Sequence, residues 1–150
     1  MTEASYASYG TPAGTLYICG FGETVTYIGF EKTFTRERIT PLIENVIEQL
    51  NEYFNRERKH FTIPFEVGGS ELQKNVCSAL MKIPYGETRT YKDIAESAGN
   101  PKAIRAVATA IGKNPVSLVI PCHRVIGSDG KMRGYAGGIP FKEYLLELES

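Results

Sequence analysis

The sequence predicts an α+β protein, with a small unit of strands and one helix over residues 1–66 and a mainly helical unit over residues 67–150. Three observations carry this. Two β-rich runs, TLYICGF (15–21) and TVTYIGF (24–30), flank Gly22-Glu23 and read as a hairpin. An apolar repeat of helical period runs through TPLIENVIEQLNEYF (40–54). The second half is a chain of short helices marked by caps and glycine stops.

In the first helix Thr40 is the N-cap and Pro41 the first helical residue. Leu42, Ile43, Val46, Ile47, Leu50 and Phe54 form its apolar face. An extended segment, FTIPFEV (61–67), leads to Gly68-Gly69, the boundary between the units. Ser70 and Gln73 make a capping box for a helix reaching Met81, with Leu72, Val76, Ala79 and Leu80 inward. IPYGE (83–87) breaks it.

Thr90 with Asp93 caps a helix over 91–98 that Gly99 ends; Asn100-Pro101 restarts one over 101–111, stopped by Gly112. Two short helices about a glycine turn match a helix-turn-helix, a pattern shared with helical hairpins that bind nothing. On the second helix Ile104, Val107, Ala108 and Ile111 form the core stripe. Lys102, Arg105, Ala106 and Thr109 lie opposite, with Ala103 and Ala110 at the edge. SLVI (117–120) reads as a buried strand that Pro121 stops, and residues 140–150 as a terminal helix.

No apolar run approaches the roughly 20 residues of a membrane span. The first residues, MTEASYASYGTPAG, hold no basic patch leading into an apolar stretch, so the expectation is a cytoplasmic protein without a leader. Cys19, Cys77 and Cys122 include no CxxC pair and the chain has two histidines, which argues against structural zinc. Cys19 and Cys77 read as core residues, and a disulfide between them stays open. The formal net charge is zero, yet Lys102, Arg105, Lys113, Arg124, Lys131 and Arg133 face Asp129 alone across residues 102–133. Such a patch attracts polyanions or is a solvated basic face.

At the end of the apolar run, Pro121 precedes Cys122 and His123. A thiol attacks as its thiolate and needs a nearby base or cation, for which His123 and Arg124 are the local candidates. A histidine base is oriented best by a carboxylate, and Glu143, Glu147 and Glu149 of the terminal helix are all available. From the residues alone the pair is a catalytic couple, a metal site, or a buried thiol beside a surface histidine.

The stretch NPVSLVIPCHRVIGSDGKMRGYAGGIPFKEYLLELE (114–149), with Pro-Cys-His-Arg-Val at 121–125, resembles the active-site region of O6-alkylguanine-DNA alkyltransferases. IPYGETRTYKDIAESAGNPKAIRAV resembles the same family's helix-turn-helix. The likeness is specific over residues 70–150; over 1–66 it rests on length and pattern and implies a ribonuclease-H-like α/β domain. It implies a protein that flips O6-alkylguanine from duplex DNA and takes the alkyl group on Cys122 once, irreversibly.

By the same resemblance His123 accepts the thiol proton through a water, Glu149 orients His123, and Asn114 braces the turn. Tyr91 donates a proton towards guanine N3, and Arg105 fills the space of the flipped base. Lys102, Ala103, Ala106 and Thr109 lie along the recognition helix in the minor groove. Val125 and the loop Tyr135-Ala136-Gly137-Gly138 read the guanine edge. The expected partner is double-stranded DNA carrying O6-alkylguanine, bound by a monomer with no metal, cofactor or membrane. The chain departs from the pattern at Cys77 (often Trp), Ser117 (proline in some relatives) and Arg133 (often a smaller residue), and lacks some relatives' N-terminal zinc ligands. A lesion sensor without chemistry and a cysteine hydrolase are the competing readings.

Overall fold

The computed structural model describes residues 4–150; the first three, which enter the leader-free reading and open the 1–66 division, lie outside the described residues. The N-terminal half is a three-stranded antiparallel meander, β1 (Ala4–Thr11), β2 (Gly14–Phe21) and β3 (Thr24–Gly29), covered by helix α1 (Pro41–Phe54). The β2–β3 hairpin turns at Gly22-Glu23 as expected, with Gly22 left-handed. Strand β1 gives no signal in the sequence because its alternation is inverted. Small Ser5 and Ala7 point inward with Tyr9, whose ring stacks on Phe54 of α1, while Tyr6 lies on the other face against Phe34.

In α1 the Thr40 side chain accepts from Ile43 N and Pro41 begins the helix. Its buried face is Ile43, Val46, Gln49, Leu50 and Tyr53 rather than the expected one, with Leu42, Ile47 and Phe54 at the margins. Gln49 is inside because it pairs with Thr62 through both backbone and side chain, tying the 61–67 segment to the helix. That segment then touches the β3 edge, where Val25 N donates to Pro64 O.

The C-terminal half holds α2 (Glu71–Met81), α3 (Tyr91–Ser97), α4 (Ile104–Gly112) and α5 (Ile139–Leu148). Ser70 caps α2, but Gln73 does not reach back to it; its side-chain amide bonds the Ala110 carbonyl instead and joins α2 to α4. The Thr90–Asp93 box on α3 is complete, and Gly99 follows in the left-handed conformation, which a side chain would resist. Helix α4 starts at Ile104, not at Pro101, since residues 101–103 form a turn. Its inward face is accordingly Val107, Ala110 and Ile111; Ile104 is 41% exposed and Ala108 half-buried.

Residues 117–120 are buried but not a strand. Val116 bridges Ile28 of β3, and the chain then turns sharply through Leu118 at φ 72°. A left-handed leucine costs about 1–2 kcal/mol, held here by surroundings that bury the side chain. The single parallel pair β4 (Arg89–Thr90) with β5 (Val125–Ile126) is too short to show periodicity in sequence. It sets the start of α3 beside the residues following Cys122. One continuous apolar core runs through both halves.

Because Thr90 is both cap of α3 and a member of β4, Thr90→Ala should lower stability by about 1 kcal/mol, read as a shift in the urea unfolding midpoint with the slope unchanged.

Candidate active site

Pro121 ends the tight turn, and Cys122–Arg124 form one 3₁₀ turn. With about three residues per turn, consecutive side chains diverge by roughly 120°. Cys122 can therefore face one way while His123 and Arg124 both reach the residue just past α5, Glu149. His123 Nε2 lies 2.8 Å from Glu149 Oε2. Arg124 straddles the carboxylate, Nε to Oε1 at 2.8 Å and Nη2 to Oε2 at 3.0 Å, and gives Nη1 to the Ile83 carbonyl. Tyr53 of α1 donates to Oε2 at 2.6 Å. All four residues are buried.

An ionised carboxylate only accepts, so His123 carries its proton on Nε2 and presents Nδ1 as a bare acceptor. Among the described residues Nδ1 is buried without a partner. Burial pushes Glu149 towards its neutral form, but the bonds from His123, Arg124 and Tyr53 outweigh this and hold it at about 2. Burial lowers His123 below its ordinary value against the pull of Glu149, so the ring is neutral at neutral pH.

Cys122 is 8% exposed, and burial pushes its thiol up to about 11, offset in part by the Asn114 amide and the Lys142 ammonium. Asn114 donates to Ile120 O at 2.7 Å and accepts from Val116 N at 3.0 Å, clamping the turn that carries the cysteine. Arg124, a candidate cation for the thiol from sequence, is committed to Glu149. Its loss to the interior and the pairing of Arg133 with Asp129 also thin the expected basic patch.

An open cleft of about 820 Å³ is lined by Tyr91, Ile104, Arg105, Ala108, Arg133 and Tyr135 among others; Cys122 does not line it but acts electrostatically on two residues that do, Tyr91 and Tyr135. Tyr91, at the first position of α3, is half-buried; burial and the neighbouring Cys122 raise its phenol. Tyr135 is raised more strongly by the same causes, and its hydroxyl is buried without a partner among the described residues. Arg105 stands exposed at the cleft with Ala106 and Lys102 exposed nearby and Ala103 half-buried at the N-cap. Thr109 spends its hydroxyl on the Arg105 carbonyl of its own helix.

Val125 is buried in β5, and Ala136 borders the cleft. Gly137 lies against Phe30, whose ring a Cβ there would approach to 2.5 Å. Sequence reasoning did not single out Tyr53 or Lys142, and it places Ile104 in the core stripe rather than at the cleft. Lys142 is almost wholly buried and donates to the Arg133 carbonyl; burial lowers its ammonium, opposed by Cys122. A lysine inside the apolar face of α5 was the available signal. Cys19, Cys77 and Cys122 are all free thiols.

Two family models match the chain. The ribonuclease-like domain of 6-O-methylguanine DNA methyltransferase matches residues 5–67, and the DNA-binding domain of 6-O-methylguanine DNA methyltransferase matches residues 71–150. A methylated-DNA–protein-cysteine methyltransferase of Methanosarcina acetivorans is 44% identical over 96% of this chain and 97% of its own. One from Mycobacterium tuberculosis is 43% identical over 96% and 91%. The crystal structure of the M. tuberculosis O6-methylguanine methyltransferase superposes with a TM-score of 0.87 at 39% identity, covering 98% of this chain and 93% of that one. Its complex with DNA gives 0.86 at 42% identity, over 96% and 91%.

Glu149, depressed on folding, adds stability that is complete above its unfolded value of 4.5 and lost as pH falls towards about 2. The shift corresponds to about 3 kcal/mol. His123, also depressed, loses its share from about 6.5 downward because the unfolded chain takes the proton first. Urea unfolding from pH 7 to 3 should therefore show stability falling in two stages, and in Glu149→Gln the lower stage should flatten.

Proposed function

The chain belongs to the 6-O-methylguanine DNA methyltransferase family, and on that premise we propose that it repairs O6-alkylguanine in duplex DNA by moving the alkyl group onto its own Cys122. The observation that carries the assignment is the hydrogen bond between His123 Nε2 and Glu149. It leaves His123 with a neutral acceptor nitrogen next in sequence to a buried thiol.

In this reading residues 67–150 bind DNA and perform the transfer, and residues 1–66 support them. Exposed Arg105 enters the stack as the guanine leaves it, and Ala103 and Ala106 let the α4 backbone approach the minor groove. Lys102 and Thr109 meet the strand beside them. The guanine occupies the cleft, with Tyr135, Ala136, Gly137 and the Val125 backbone along its edge. Phosphate contacts position without specifying, so flanking sequence matters little. The protein acts as a cytoplasmic monomer.

His123 Nδ1 takes the Cys122 proton through a bridging water. The sulfur attacks the alkyl carbon; the S–C bond forms as the C–O6 bond breaks, and the electron pair passes to the purine. Tyr91 gives N3 a proton, so guanine leaves neutral, and the phenolate is refilled by the proton that the thiol released. The product thioether is a poor leaving group, so each molecule reacts once. Asn114 holds the turn throughout. No metal or cofactor enters the balance, because the DNA supplies the alkyl group.

The test is intact-protein mass spectrometry with peptide mapping after incubation with a duplex bearing one O6-methylguanine. The expected result is one methyl group on Cys122, saturating at one per protein. Tight binding with no mass change would replace the assignment with a lesion sensor. Cys122→Ala should keep DNA affinity and lose all transfer, and surviving transfer would remove the mechanism. Arg105→Ala should slow transfer from duplex by roughly tenfold, within the few kcal/mol that extrusion costs, and leave transfer from the free modified base nearly unchanged.

A further inference from the structure

Glu149 is held from two sides. Arg124 and His123 come from the same three-residue turn, 25 and 26 positions away, whereas Tyr53 comes from α1, 96 positions away. Its hydroxyl makes the shortest of the contacts to Glu149, and to Oε2, the oxygen that receives His123. The ring is 0% exposed and wedged against Phe61 (5.2 Å between centroids) and Tyr85 (6.5 Å). Tyr85 in turn lies under the Arg124 guanidinium at 5.7 Å. The hydroxyl thus has little freedom to leave Oε2.

We propose that Tyr53 is a positioning residue for alkyl transfer: its O–H fixes the Glu149 oxygen that orients His123, making the N-terminal half a working part of the base relay. The proposal rests on the function assigned above. Arg124 grips both oxygens of the carboxylate, but from the same turn that carries His123. The Tyr53 hydroxyl adds a tether to Oε2 from α1, an element outside that turn, and shares the charge there. Less charge there means a weaker pull on the His123 proton, and a ring that stays neutral and ready to accept. The groups acting on His123 are Glu149, Arg124 and Lys142. Tyr53 and Tyr85 act on the same carboxylate. Besides His123 itself, Arg124 and Tyr53 bond to Oε2, and of these two Tyr53 does so without carrying charge.

Tyr53→Phe keeps the ring and removes the hydroxyl. Transfer from both duplex and free O6-methylguanine should slow by roughly tenfold, below the roughly hundredfold cost of a fully misplaced group, while DNA affinity is unchanged. With Oε2 more negative, the His123 imidazolium is favoured, so the acid limb of the rate profile should move to higher pH. Replacing Tyr53 by 3-fluorotyrosine, a stronger donor of the same shape, should move that limb to lower pH.

The chain has only two histidines, His60 and His123, so ¹⁵N-histidine NMR reads the His123 titration directly, with or without transfer. Opposite displacements in the two variants support the proposal. An unmoved titration and wild-type rates in both would overturn it and reduce the Tyr53 hydroxyl to a satisfied core group. If the wild-type protein failed to alkylate Cys122, the function would fall, while the NMR displacement would still decide whether Tyr53 sets His123.

Discussion

The buried charge of Glu149 is the constraint around which the rest is arranged. A carboxylate taken out of water is stable only if nearly every lone pair is used. Here Oε1 receives Arg124, and Oε2 receives Tyr53, His123 and Arg124. Meeting that demand fixes the 122–124 turn, since two of its three side chains must point at one acceptor, and the third is thereby sent elsewhere. The cysteine's direction follows from the needs of the carboxylate. The same demand fixes the tautomer of His123, and it draws a residue of α1 into the C-terminal half.

Positioning of the remaining groups depends on very short pieces of backbone pairing. The two-residue ladder between β4 and β5 carries the start of α3, and so Tyr91, to the neighbourhood of Cys122. Two bonds between Ile28 and the 115–117 segment, Ile28 N to Pro115 O and Ser117 N to Ile28 O, seat the turn before the cysteine on the edge of the N-terminal sheet. Phe30 follows that strand and packs edge-on against Tyr135 and Phe141, with Gly137 beneath it. The cleft is therefore lined by C-terminal residues, and one of them, Tyr135, is packed against Phe30 of the N-terminal half. A continuous core shared by both halves is the energetic counterpart.

How much of this could be read from sequence follows the length of the signal each element carries. Helices α1, α2 and α3 were legible because caps and a helical period agree over two or more turns. The face of α1 was displaced because a polar Gln49 and an amphipathic Tyr53 occupy the inside, and apolar counting passes over both. Strand β1 was silent because its fully buried residues are serine and alanine. The start of α4 was misplaced by the helix-favouring Pro101, and with it Ile104, which faces the cleft instead of the core. At the site, the adjacency of Cys122 and His123 was visible, as was the end of the apolar run at Pro121. The choice of Glu149 over Glu143 and Glu147 came from family resemblance alone. Physically it required knowing where α5 ends relative to a turn 25 residues earlier, which is a matter of tertiary register.

The raised thiol of Cys122 looks at first like a defect in a nucleophile. At about 11, the thiol is almost wholly protonated at neutral pH. For a protein consumed by its reaction, however, every encounter with a stray electrophile or oxidant costs a whole molecule, and those reactions also go through the thiolate. A protonated, nearly buried cysteine is a poor target for all of them. In the proposed mechanism the intended reaction escapes the penalty because His123 takes the proton as the sulfur attacks rather than beforehand. That arrangement works only if the base stays neutral and its acceptor nitrogen stays free. Both conditions are set by the carboxylate behind the ring: too strong a pull would fix a proton on His123, and too weak a hold would let the ring turn. A doubly tethered Glu149, gripped by a cation on one side and a phenol on the other, meets both conditions at once.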